Sequence, residues 1–546
     1  MGLTFSLLFS LLVPCPLRAA QQLEVQFDGL VIPVSIKDLV GWVRSGGESN
    51  TELGIWLDLL EPASRKGMLE LLRAPLITDR SMAQQMLNSW AGRRLLDELA
   101  DLVRVDDDTV GVTVLGTLDR LLQRQQQVTS LDLLESLPAE RVRLDLDGLL
   151  GVADHWRSQL QRQQALVRQL DRIPVRSFDA KASSPPGALQ PRQPLVQALR
   201  VPYRSQPLQL ELWLPPTAAN SNAPSSTPSA TPSANHSKPS ADPSSLWIVL
   251  MPGLGGTPDH FRWLGRLLSA EGWPVVVLEH PGSDSDAVGA WLEGRQRPPG
   301  AEVIPDRLHD LDAVLAAKAQ GRLPVRGDRV VLMGHSLGAL TALLSTGMRP
   351  QPGLERRCRQ ALDDLPLANL SRLFQCQLTA VNLPDSQAPD QLAAVVGLNS
   401  FGSLLWPRNR PVPLAVPALF TGGTLDLITP PLQEQLELLL ATAPRSGSRA
   451  VVVEGASHFS PIRVEGQAGD DQGNDLFQLG EELVGVQPLQ VQTLLGEEIV
   501  VFLKSLDPRA VGLPRSGEPG HLHRQIGDLH VHRIDRSSAE SLLADF

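Results

Sequence analysis

The sequence predicts an α/β protein, in which a mainly parallel sheet with helices on both faces follows a mostly helical domain. Three observations lead to this prediction. Short apolar strands alternate with helix-like segments after residue 245, as they do in parallel sheets. Residues 21–180 combine a few strand-like patterns with longer helix-like ones. A tract of Ser, Pro, Ala, Thr and Asn at 217–245 separates the first strands of the α/β part from the others.

The composition favours a globular protein that does not bind nucleic acid. The chain has 546 residues, which is too long for one ordinary core and indicates two domains. Hydrophobic residues make up 42% and charged residues 20% of the chain, and these values exclude a wholly disordered protein. The formal net charge is −11, so the protein has no basic surplus with which to bind a phosphate backbone.

The first twenty residues have the pattern of a secretory signal peptide. An apolar run over residues 3–13 is followed by the small residues Ala19 and Ala20. No Lys or Arg precedes the run, and Arg18 lies near the cleavage position, so the alternative is a buried start of the first domain. We expect residues 1–20 to be a signal peptide and the protein to be periplasmic or extracellular; under the alternative it is cytoplasmic. No later segment has the length of a transmembrane helix, while peripheral membrane contact stays open.

Three cysteines occur, and the first of them, Cys15, lies within the predicted signal peptide. Cys358 and Cys376 lie in the same connecting region, and in an exported protein such a pair favours a disulfide bond. The alternative is a pair of buried thiols in a cytosolic protein. The spacing of the cysteines does not resemble a zinc site.

The amino-terminal domain, residues 21–180, carries no pattern that indicates a chemical activity. Alternating apolar residues on both sides of Asp28-Gly29 predict a small hairpin. Ser35, followed three positions later by Asp38, predicts the start of an amphipathic helix. No pair of histidines or carboxylates has catalytic spacing here, so the function of this domain stays open.

The α/β domain is predicted over residues 195–505. Alternation from Leu199 to Leu214 predicts an antiparallel hairpin, and residues 217–245 are expected to be a disordered insert. Ligand sites in sheets of this kind lie beyond the carboxyl ends of the strands. The later strands are predicted at Leu246–Met251, Val275–Leu278, Val330–Met333, Ala393–Leu398, Ala418–Thr421 and Ala450–Val453.

A G-x-S-x-G motif, residues 334–338, directly follows one of these strands and precedes a helix. This is the position of a nucleophile elbow, in which a sharp turn exposes the serine hydroxyl at the edge of the sheet. Because a serine hydroxyl is too weak an acid to attack unaided, Ser336 needs a base. His335 is not expected to be that base, since its side chain leaves the elbow in another direction.

Two further strand ends supply the partners that Ser336 needs. Asp426 lies on a loop after the strand that ends at Thr421, and His458 lies just beyond the last predicted strand. The order Ser, acid, His is the one that this kind of elbow requires. We therefore predict Ser336 as nucleophile, His458 as general base and then acid, and Asp426 as the residue that orients the imidazole. Considered separately, Asp426 fits the role of a turn residue as well as a catalytic one, and His458 fits an ordinary loop histidine as well as a general base.

Three other polar residues lie at strand ends of the same edge. Asn399 ends the strand before that of Asp426, but its amide cannot supply a negative charge, so Asp426 is preferred as the acid. Glu279 and His280 follow the strand that ends at Leu278. We expect them to support the catalytic residues or contact substrate; the alternative is a turn stabilised by the Pro-Gly pair that follows.

An oxyanion hole needs two backbone N–H donors. The amide of Leu337, directly after the nucleophile, is the first candidate. The second is expected in the glycine-rich turn 251–256, where Leu254 is preferred, because Pro252 has no N–H and glycines flank the leucine on either side.

With these motifs in place, the chain resembles serine α/β-hydrolases of the dienelactone-hydrolase and platelet-activating-factor-acetylhydrolase-like group. It is most similar to bacterial members with an amino-terminal helical domain of unknown function. The resemblance implies the α/β-hydrolase fold and cleavage of small-acyl or lipid-like esters without metal or organic cofactor. The group usually has His-Gly where this chain has Pro252-Gly253. The segments that carry the resemblance are 252–255, 279–283, 334–338, 373–376, 422–426 and 457–460.

Two further regions complete the prediction. Residues 348–392, which contain both late cysteines, lie where such enzymes insert a cap. Residues 506–546 are polar and rich in Pro and Gly, and we expect them to form a disordered tail. Their two H-x-H pairs offer a divalent-metal site as the alternative; the pairs are His521 with His523 and His530 with His532.

The leading functional hypothesis is thus an exported serine esterase with a small-molecule ester or lipid substrate. Two alternatives stay open: a catalytically inactive hydrolase fold used for binding, and a peptidase or acyltransferase that uses the same three residues. The sequence leaves open the physiological substrate and the oligomeric state.

Overall fold

A computed structural model of the chain describes residues 20–48, 51–58, 61–73, 75–77, 89–90, 92–94, 102–105, 112–125, 128–175, 193–216, 246–363, 368–462, 487–506, 520–544 and 546. The predicted signal peptide, apart from Ala20, and the predicted insert at 217–245 lie outside these residues. The chain divides into two compact units. The described residues up to Asp154 and residues 293–297 belong to the first unit, and the others belong to the second.

The amino-terminal unit contains helices, as predicted, and a small sheet that includes the predicted hairpin. Its four-stranded sheet has the order β2-β1-β6-β4, and β3 pairs separately with β5. The strands are β1 Gln22–Phe27, β2 Leu30–Ser35, β3 Pro75–Ile77, β4 Val103–Val105, β5 Val128–Thr129 and β6 Arg141–Asp145. The helices are α1 Ile36–Arg44, α2 Glu52–Leu57, α3 Pro62–Arg73, α4 Val112–Arg124 and α5 Ser130–Ser136, and α6 Leu146–Leu170 begins in this unit.

The predicted hairpin and the predicted helix start are both confirmed. β1 and β2 pair in antiparallel register across Asp28-Gly29, where both turn residues have positive φ angles of 49° and 72°. The Ser35 hydroxyl accepts a hydrogen bond from the Asp38 amide at 3.3 Å, which satisfies one of the free N–H groups at the start of α1. The buried residues of α1 then form one face of the helix, and they include Trp42, which is fully buried.

The second unit is built on a ten-stranded sheet of order β15-β16-β14-β13-β12-β11-β9-β10-β8-β7. The six central strands, β10, β9, β11, β12, β13 and β14, are parallel to one another. The two strands on each side of them, β8 with β7 and β16 with β15, are added in antiparallel pairs. The strands are β7 Leu195–Leu199, β8 Leu208–Trp213, β9 Leu246–Met251, β10 Val275–Leu278, β11 Arg329–His335, β12 Leu392–Leu398, β13 Ala418–Gly423, β14 Arg449–Val453, β15 His521–Ile526 and β16 Leu529–Asp535. The central strands are buried on both faces, which explains their continuous apolar runs.

Helices connect these strands, as the alternating pattern predicts. The helices are α7 Arg262–Ala270, α8 Ser285–Leu292, α9 Ile304–Ala319, α10 Leu337–Leu344, α11 Leu354–Ala361, α12 Ser371–Gln377, α13 Glu437–Thr442, α14 Pro488–Ser505 and α15 Arg536–Leu543. A π-helical turn, Pro431–Leu436, leads into α13. No helix among the described residues combines the length and the apolar character needed to cross a membrane.

The prediction of a disordered tail over 506–546 is wrong for the described residues from 520 onward. They form the hairpin β15-β16 and the helix α15, and β16 extends the sheet beside β14. Leu529 and Val531 are buried on one face of β16, and His532 and Ile534 are buried on the other, so both faces of the strand are partly enclosed. The histidines hide this pattern because they count as polar, although His523 and His532 are also buried.

The boundary between the two units also differs from the predicted position at residue 180. It falls within α6, after Asp154. The second half of this helix packs within the second unit, since Leu166 and Leu170 are buried and the Gln163 amide donates to the Ala368 carbonyl at 3.5 Å. A helix that runs from one unit into the other gives no sequence signal at the boundary.

Candidate active site

The predicted nucleophile lies in a tight turn between β11 and α10. Ser336 has φ 51° and ψ −114°. Residues other than glycine rarely adopt a backbone conformation with positive φ, and where they do it often marks a functional position. Glycines allow the turn to form: a Cβ on Gly334 would lie 2.2 Å from the Gly338 carbonyl carbon, and a Cβ on Gly338 would lie 2.0 Å from the Met251 oxygen. Ser336 is partly exposed, whereas the neighbouring positions His335 and Leu337 are buried. The elbow thus presents a serine hydroxyl at the edge of the sheet.

Asp426 is fully buried beyond the end of β13 and is held by four hydrogen bonds. It accepts from the amides of Ile428 at 2.9 Å and Thr429 at 2.7 Å. The Thr429 hydroxyl donates to it at 2.6 Å, and the Asn399 side-chain amide donates at 2.7 Å. These donors fix the carboxylate at the edge of the sheet where Ser336 lies.

His458 completes a hydrogen-bonded pair with Asp426. Its Nδ1 lies 3.0 Å from Asp426 Oδ2, and only 5% of the histidine is exposed. Burial favours a raised pKa for Asp426, but the nearby His458 and the hydrogen bonds from His458, Asn399 and Thr429 lower it to about 2. The carboxylate is therefore ionised at neutral pH, so Nδ1 of His458 donates to it and Nε2 is left to accept a proton.

The structure brings the loop of His458 against the nucleophile elbow. The ring of His335, the residue before Ser336, lies 4.9 Å from the His458 ring, and its Nε2 donates to the His458 carbonyl oxygen at 2.9 Å. No hydrogen bond joins the Ser336 hydroxyl to the His458 ring in the structure. Serine–histidine hydrogen bonds of this kind are often long before substrate binds.

The ring of His335 is not available to take a proton from Ser336. It is buried, and burial together with the nearby His458 lowers its pKa to about 3. Its Nε2 is already used to hold the backbone of His458. The sequence-based expectation that His335 is not the base agrees with this burial and with its bond to the His458 carbonyl oxygen.

The turn predicted to supply an oxyanion donor lies directly against the elbow. A Cβ on Gly253 would be 3.2 Å from the Ser336 Cβ. Gly255 and Gly256 use their amides within the protein, donating to Ser283 at 2.8 Å and to Gly253 at 3.2 Å. The amides of the predicted donors Leu254 and Leu337, by contrast, donate to no atom in the part of the chain that the structure describes.

Of the three supporting residues predicted from the sequence, only Asn399 touches the Asp–His pair, through Asp426. His280 is buried and its Nδ1 lies 3.0 Å from Asp310 Oδ2. Burial lowers the pKa of His280 to about 4, and burial with the nearby Asp284 raises the pKa of Glu279 to about 7. Neither residue has a described contact with Ser336 or His458, so both belong to the turn behind the oxyanion loop.

Sequence analysis missed Arg307, a buried arginine on α9. It donates to the Pro252 carbonyl at 2.5 Å, to the Ser283 hydroxyl at 2.7 Å and to the Thr341 hydroxyl at 3.1 Å. One guanidinium thus joins the glycine-rich turn 251–256, the turn that contains Ser283, and α10, the helix after Ser336. Burial lowers the pKa of Arg307 to about 9. In the sequence, Arg307 is a charged residue among the regularly spaced apolar residues of α9, one position before Leu308, which is buried.

A second missed residue is Glu434, which is fully buried in the π-helical turn. Its carboxylate accepts from Asn369 at 2.9 Å and Gln375 at 3.0 Å, and from the Gly402 amide at 2.8 Å. It therefore joins the cap-like region to the loop after β12. Within the cap-like region, α11 and α12 are linked by the Cys358–Cys376 disulfide, with 5.4 Å between the Cα atoms.

Among the described residues, no group of three or more His, Cys, Asp or Glu side chains is arranged to hold a metal ion. The histidines of β15 and β16 instead form hydrogen bonds with each other, with Glu454 or, for His523, with the Ile173 carbonyl oxygen at 2.6 Å. His521 Nε2 lies 3.2 Å from His532 Nδ1, His523 Nε2 lies 2.8 Å from His530 Nδ1, and His532 Nε2 lies 2.6 Å from Glu454.

Two family models match the chain. Residues 248–467 match the one described as the alpha/beta hydrolase family, and residues 19–145 match the one described as an alpha/beta hydrolase of unknown function (DUF1400). No curated protein matches the chain. The first match begins in β9 and includes the elbow, Asp426 and His458. Together with the order of the parallel strands, it shows that the second unit has the α/β-hydrolase fold.

Proposed function

We propose that this protein is a serine hydrolase that cleaves carboxylic esters of small-acyl or lipid-like substrates. Ser336 is the nucleophile, His458 the general base and then acid, and Asp426 the residue that orients the imidazole. One observation carries the proposal: a buried, hydrogen-bonded Asp426–His458 pair lies against an elbow whose serine has a positive φ angle. Strained, partly exposed serines beside such a pair are typical of acyl transfer.

The chemistry runs in two half-reactions. The Ser336 oxygen bonds to the ester carbonyl carbon while its proton passes to Nε2 of His458. The tetrahedral intermediate then loses the alcohol, which takes that proton, and an acyl-serine remains. Water gives a proton to His458 and bonds to the acyl carbon, after which Ser336 leaves and regains the proton. Asp426 stays ionised and stabilises the imidazolium at each transfer.

The amides of Leu254 and Leu337 stabilise the oxyanion in both steps. Each donor of this kind typically contributes about a hundredfold or more in rate. Their support is the position of the 252–256 turn against Ser336 and the hydrogen bonds that occupy the neighbouring amides of Gly255 and Gly256. No metal or organic cofactor takes part in this mechanism.

The proposed substrate class is based on the resemblance in sequence. Similarity to the dienelactone-hydrolase and platelet-activating-factor-acetylhydrolase-like group favours small acyl chains or lipid-like esters as substrates. The cap-like region 348–392, closed by the Cys358–Cys376 disulfide, supplies the acyl pocket in this proposal. Export to the periplasm or the extracellular space is part of the same proposal, supported by the leader pattern and by the disulfide, since disulfides form mainly in oxidising compartments.

The experiment is hydrolysis of a chain-length series of p-nitrophenyl esters by the wild type, Ser336→Ala and a matched control. Ser541→Ala is the control, since Ser541 is an exposed serine on α15. We expect kcat/KM to fall by about ten-thousandfold or more in Ser336→Ala and to be unchanged in the control. Activity that survives in Ser336→Ala, or an inactive wild type, would contradict the proposal. Faster turnover of amides, or transfer to alcohols in preference to water, would replace the esterase assignment with a peptidase or an acyltransferase.

A further inference from the structure

A cavity of about 400 Å³ lies in the second unit, with Leu432 and Gln433 of the π-helical turn in its wall. It shares no residue with the proposed catalytic site. Its size is within the range of sites for small molecules, which is roughly 300–1,000 Å³. Its walls combine α6, α12, the loop after β12, the π-helical turn, α13 and the carboxyl-terminal residues, and the lining residues used below are Arg162, Arg372, Arg408, Gln433, Glu437 and Phe546.

Three arginines from three different segments face this one cavity. None of the guanidinium groups of Arg162, Arg372 and Arg408 has a hydrogen bond or an ion pair within the described part of the chain. The Nε of Arg372 is buried without a hydrogen-bond partner. A buried N–H group without a partner is unfavourable, so the site as it stands contains an unsatisfied donor that an anionic ligand would satisfy.

A buried amide lies in the same wall. Gln433 is 8% exposed, and its Oε1 has no hydrogen-bond partner in the structure. A glutamine side chain presents either its oxygen or its NH₂ after a rotation of the amide. This residue therefore adds a second polar contact that nothing in the described protein satisfies, independent of the arginines.

Glu437 adds an acidic side chain to the wall of the cavity. Burial and the neighbouring Glu434 raise its pKa to about 7, while Arg408 and Arg372 act in the opposite direction. Its carboxyl group is thus partly protonated at neutral pH and offsets only part of the positive charge. Apolar side chains complete the lining, namely Leu404, Leu432, Leu543 and Phe546.

We propose that this cavity binds a small organic anion, a carboxylate or a phosphate monoester with a short apolar body. The anionic head is bound by Arg162, Arg372 and Arg408, since guanidinium groups hold both carboxylate and phosphate oxygens through paired N–H donors. The apolar body packs against the leucines and Phe546. The inference does not depend on the proposed esterase activity.

The test is isothermal titration calorimetry of the full chain at fixed pH and salt with hexanoate, hexyl phosphate and neutral hexanol. We expect at least one of the two anions to bind more tightly than hexanol, and the tighter of the two identifies the head group. Arg372→Gln and Arg408→Gln should each weaken its binding about tenfold or more, as expected for loss of a charge-assisted hydrogen bond. Glu437→Gln should strengthen it, because it removes the competing carboxylate.

Arg445→Gln is the matched control, since Arg445 is exposed and does not line the cavity. It should leave the affinity unchanged. Three results would overturn the proposal: neither anion binds at millimolar concentration, the two arginine variants bind as the wild type does, or Arg445→Gln weakens binding as much as Arg408→Gln. The last result would mean that only the overall charge of the protein attracts the anion.

Discussion

Replacing Arg307 by methionine removes a buried side chain that joins the turn of the proposed oxyanion hole to α10, the helix after Ser336. The substitution keeps a long apolar side chain in the buried space but deletes all three hydrogen bonds, to Pro252, Ser283 and Thr341. Both hydroxyl groups have other bonds, since Ser283 also bonds to the His280 carbonyl and Thr341 to the Leu337 carbonyl. The Pro252 carbonyl is the group left without its partner.

The expected effect on catalysis is larger than the effect on binding. Pro252 lies two residues before Leu254, so a turn that is free to move displaces one of the two oxyanion donors. Loss of one such donor typically costs about a hundredfold or more in kcat. KM should change by only a few fold, because the donor acts on charge that develops in the transition state. We also expect the free energy of unfolding to fall by about 3 kcal/mol, from the lost charge-assisted hydrogen bonds.

Kinetics with a p-nitrophenyl ester measure kcat and KM, and urea unfolding measures stability. Arg524→Met is the control for stability, because Arg524 forms buried ion pairs with Glu497 and Glu498 far along the chain from the oxyanion turn. It should lose stability and keep kcat. Arg307→Lys should recover part of kcat through one remaining donor. The reasoning is wrong if Arg307→Met keeps its kcat, or if Arg524→Met loses as much kcat as Arg307→Met does.

Three further predictions concern the pH response, the disulfide and the acid. The folded state holds the pKa of His335 at about 3, below its ordinary value of about 6.5. The free energy of unfolding should therefore fall by up to about 1.4 kcal/mol per pH unit as the pH drops below about 6.5, because the unfolded chain binds a proton that the folded chain does not. His335→Asn should reduce this slope in urea unfolding at pH 4 to 7, and an equal slope in wild type and variant refutes the prediction. Reducing Cys358–Cys376 should lower the free energy of unfolding by about 3 kcal/mol and alter acyl-chain preference; unchanged preference would show that the cap does not form the pocket. Thr429→Val should raise the pKa of Asp426 and lower kcat about tenfold, by loss of a 2.6 Å hydrogen bond; a wild-type pH–rate profile would contradict this.

Much of the fold was predictable because buried parallel strands are continuous apolar runs. The strand that carries the elbow and those before Asp426 and His458 stand out for that reason, and the residues after them fall at one edge of the sheet. The Asp426–His458 hydrogen bond follows from this geometry. The local sequence pattern was enough to select the candidate catalytic residues, because each of them lies just beyond the end of a strand.

Other parts could not be predicted because their sequence signal is ambiguous. β16 is buried on both faces, but one of its buried side chains is the imidazole of His532, which bonds to Glu454. Arg307 and Glu434 are charged residues whose buried positions depend on partners far away in the chain. A charge on a helix usually indicates a solvent-facing side, and only the tertiary structure shows where these two lie.

The most direct test of the proposed mechanism is covalent labelling with a fluorophosphonate probe, with the modified residue identified by peptide mass spectrometry. This reaction requires an activated serine and an oxyanion hole, but no knowledge of the physiological substrate. We expect a single adduct on Ser336, no adduct in Ser336→Ala, and slower labelling in Asp426→Asn. An unlabelled wild type, or an adduct on any other residue, would contradict the central claim that Ser336, His458 and Asp426 act together.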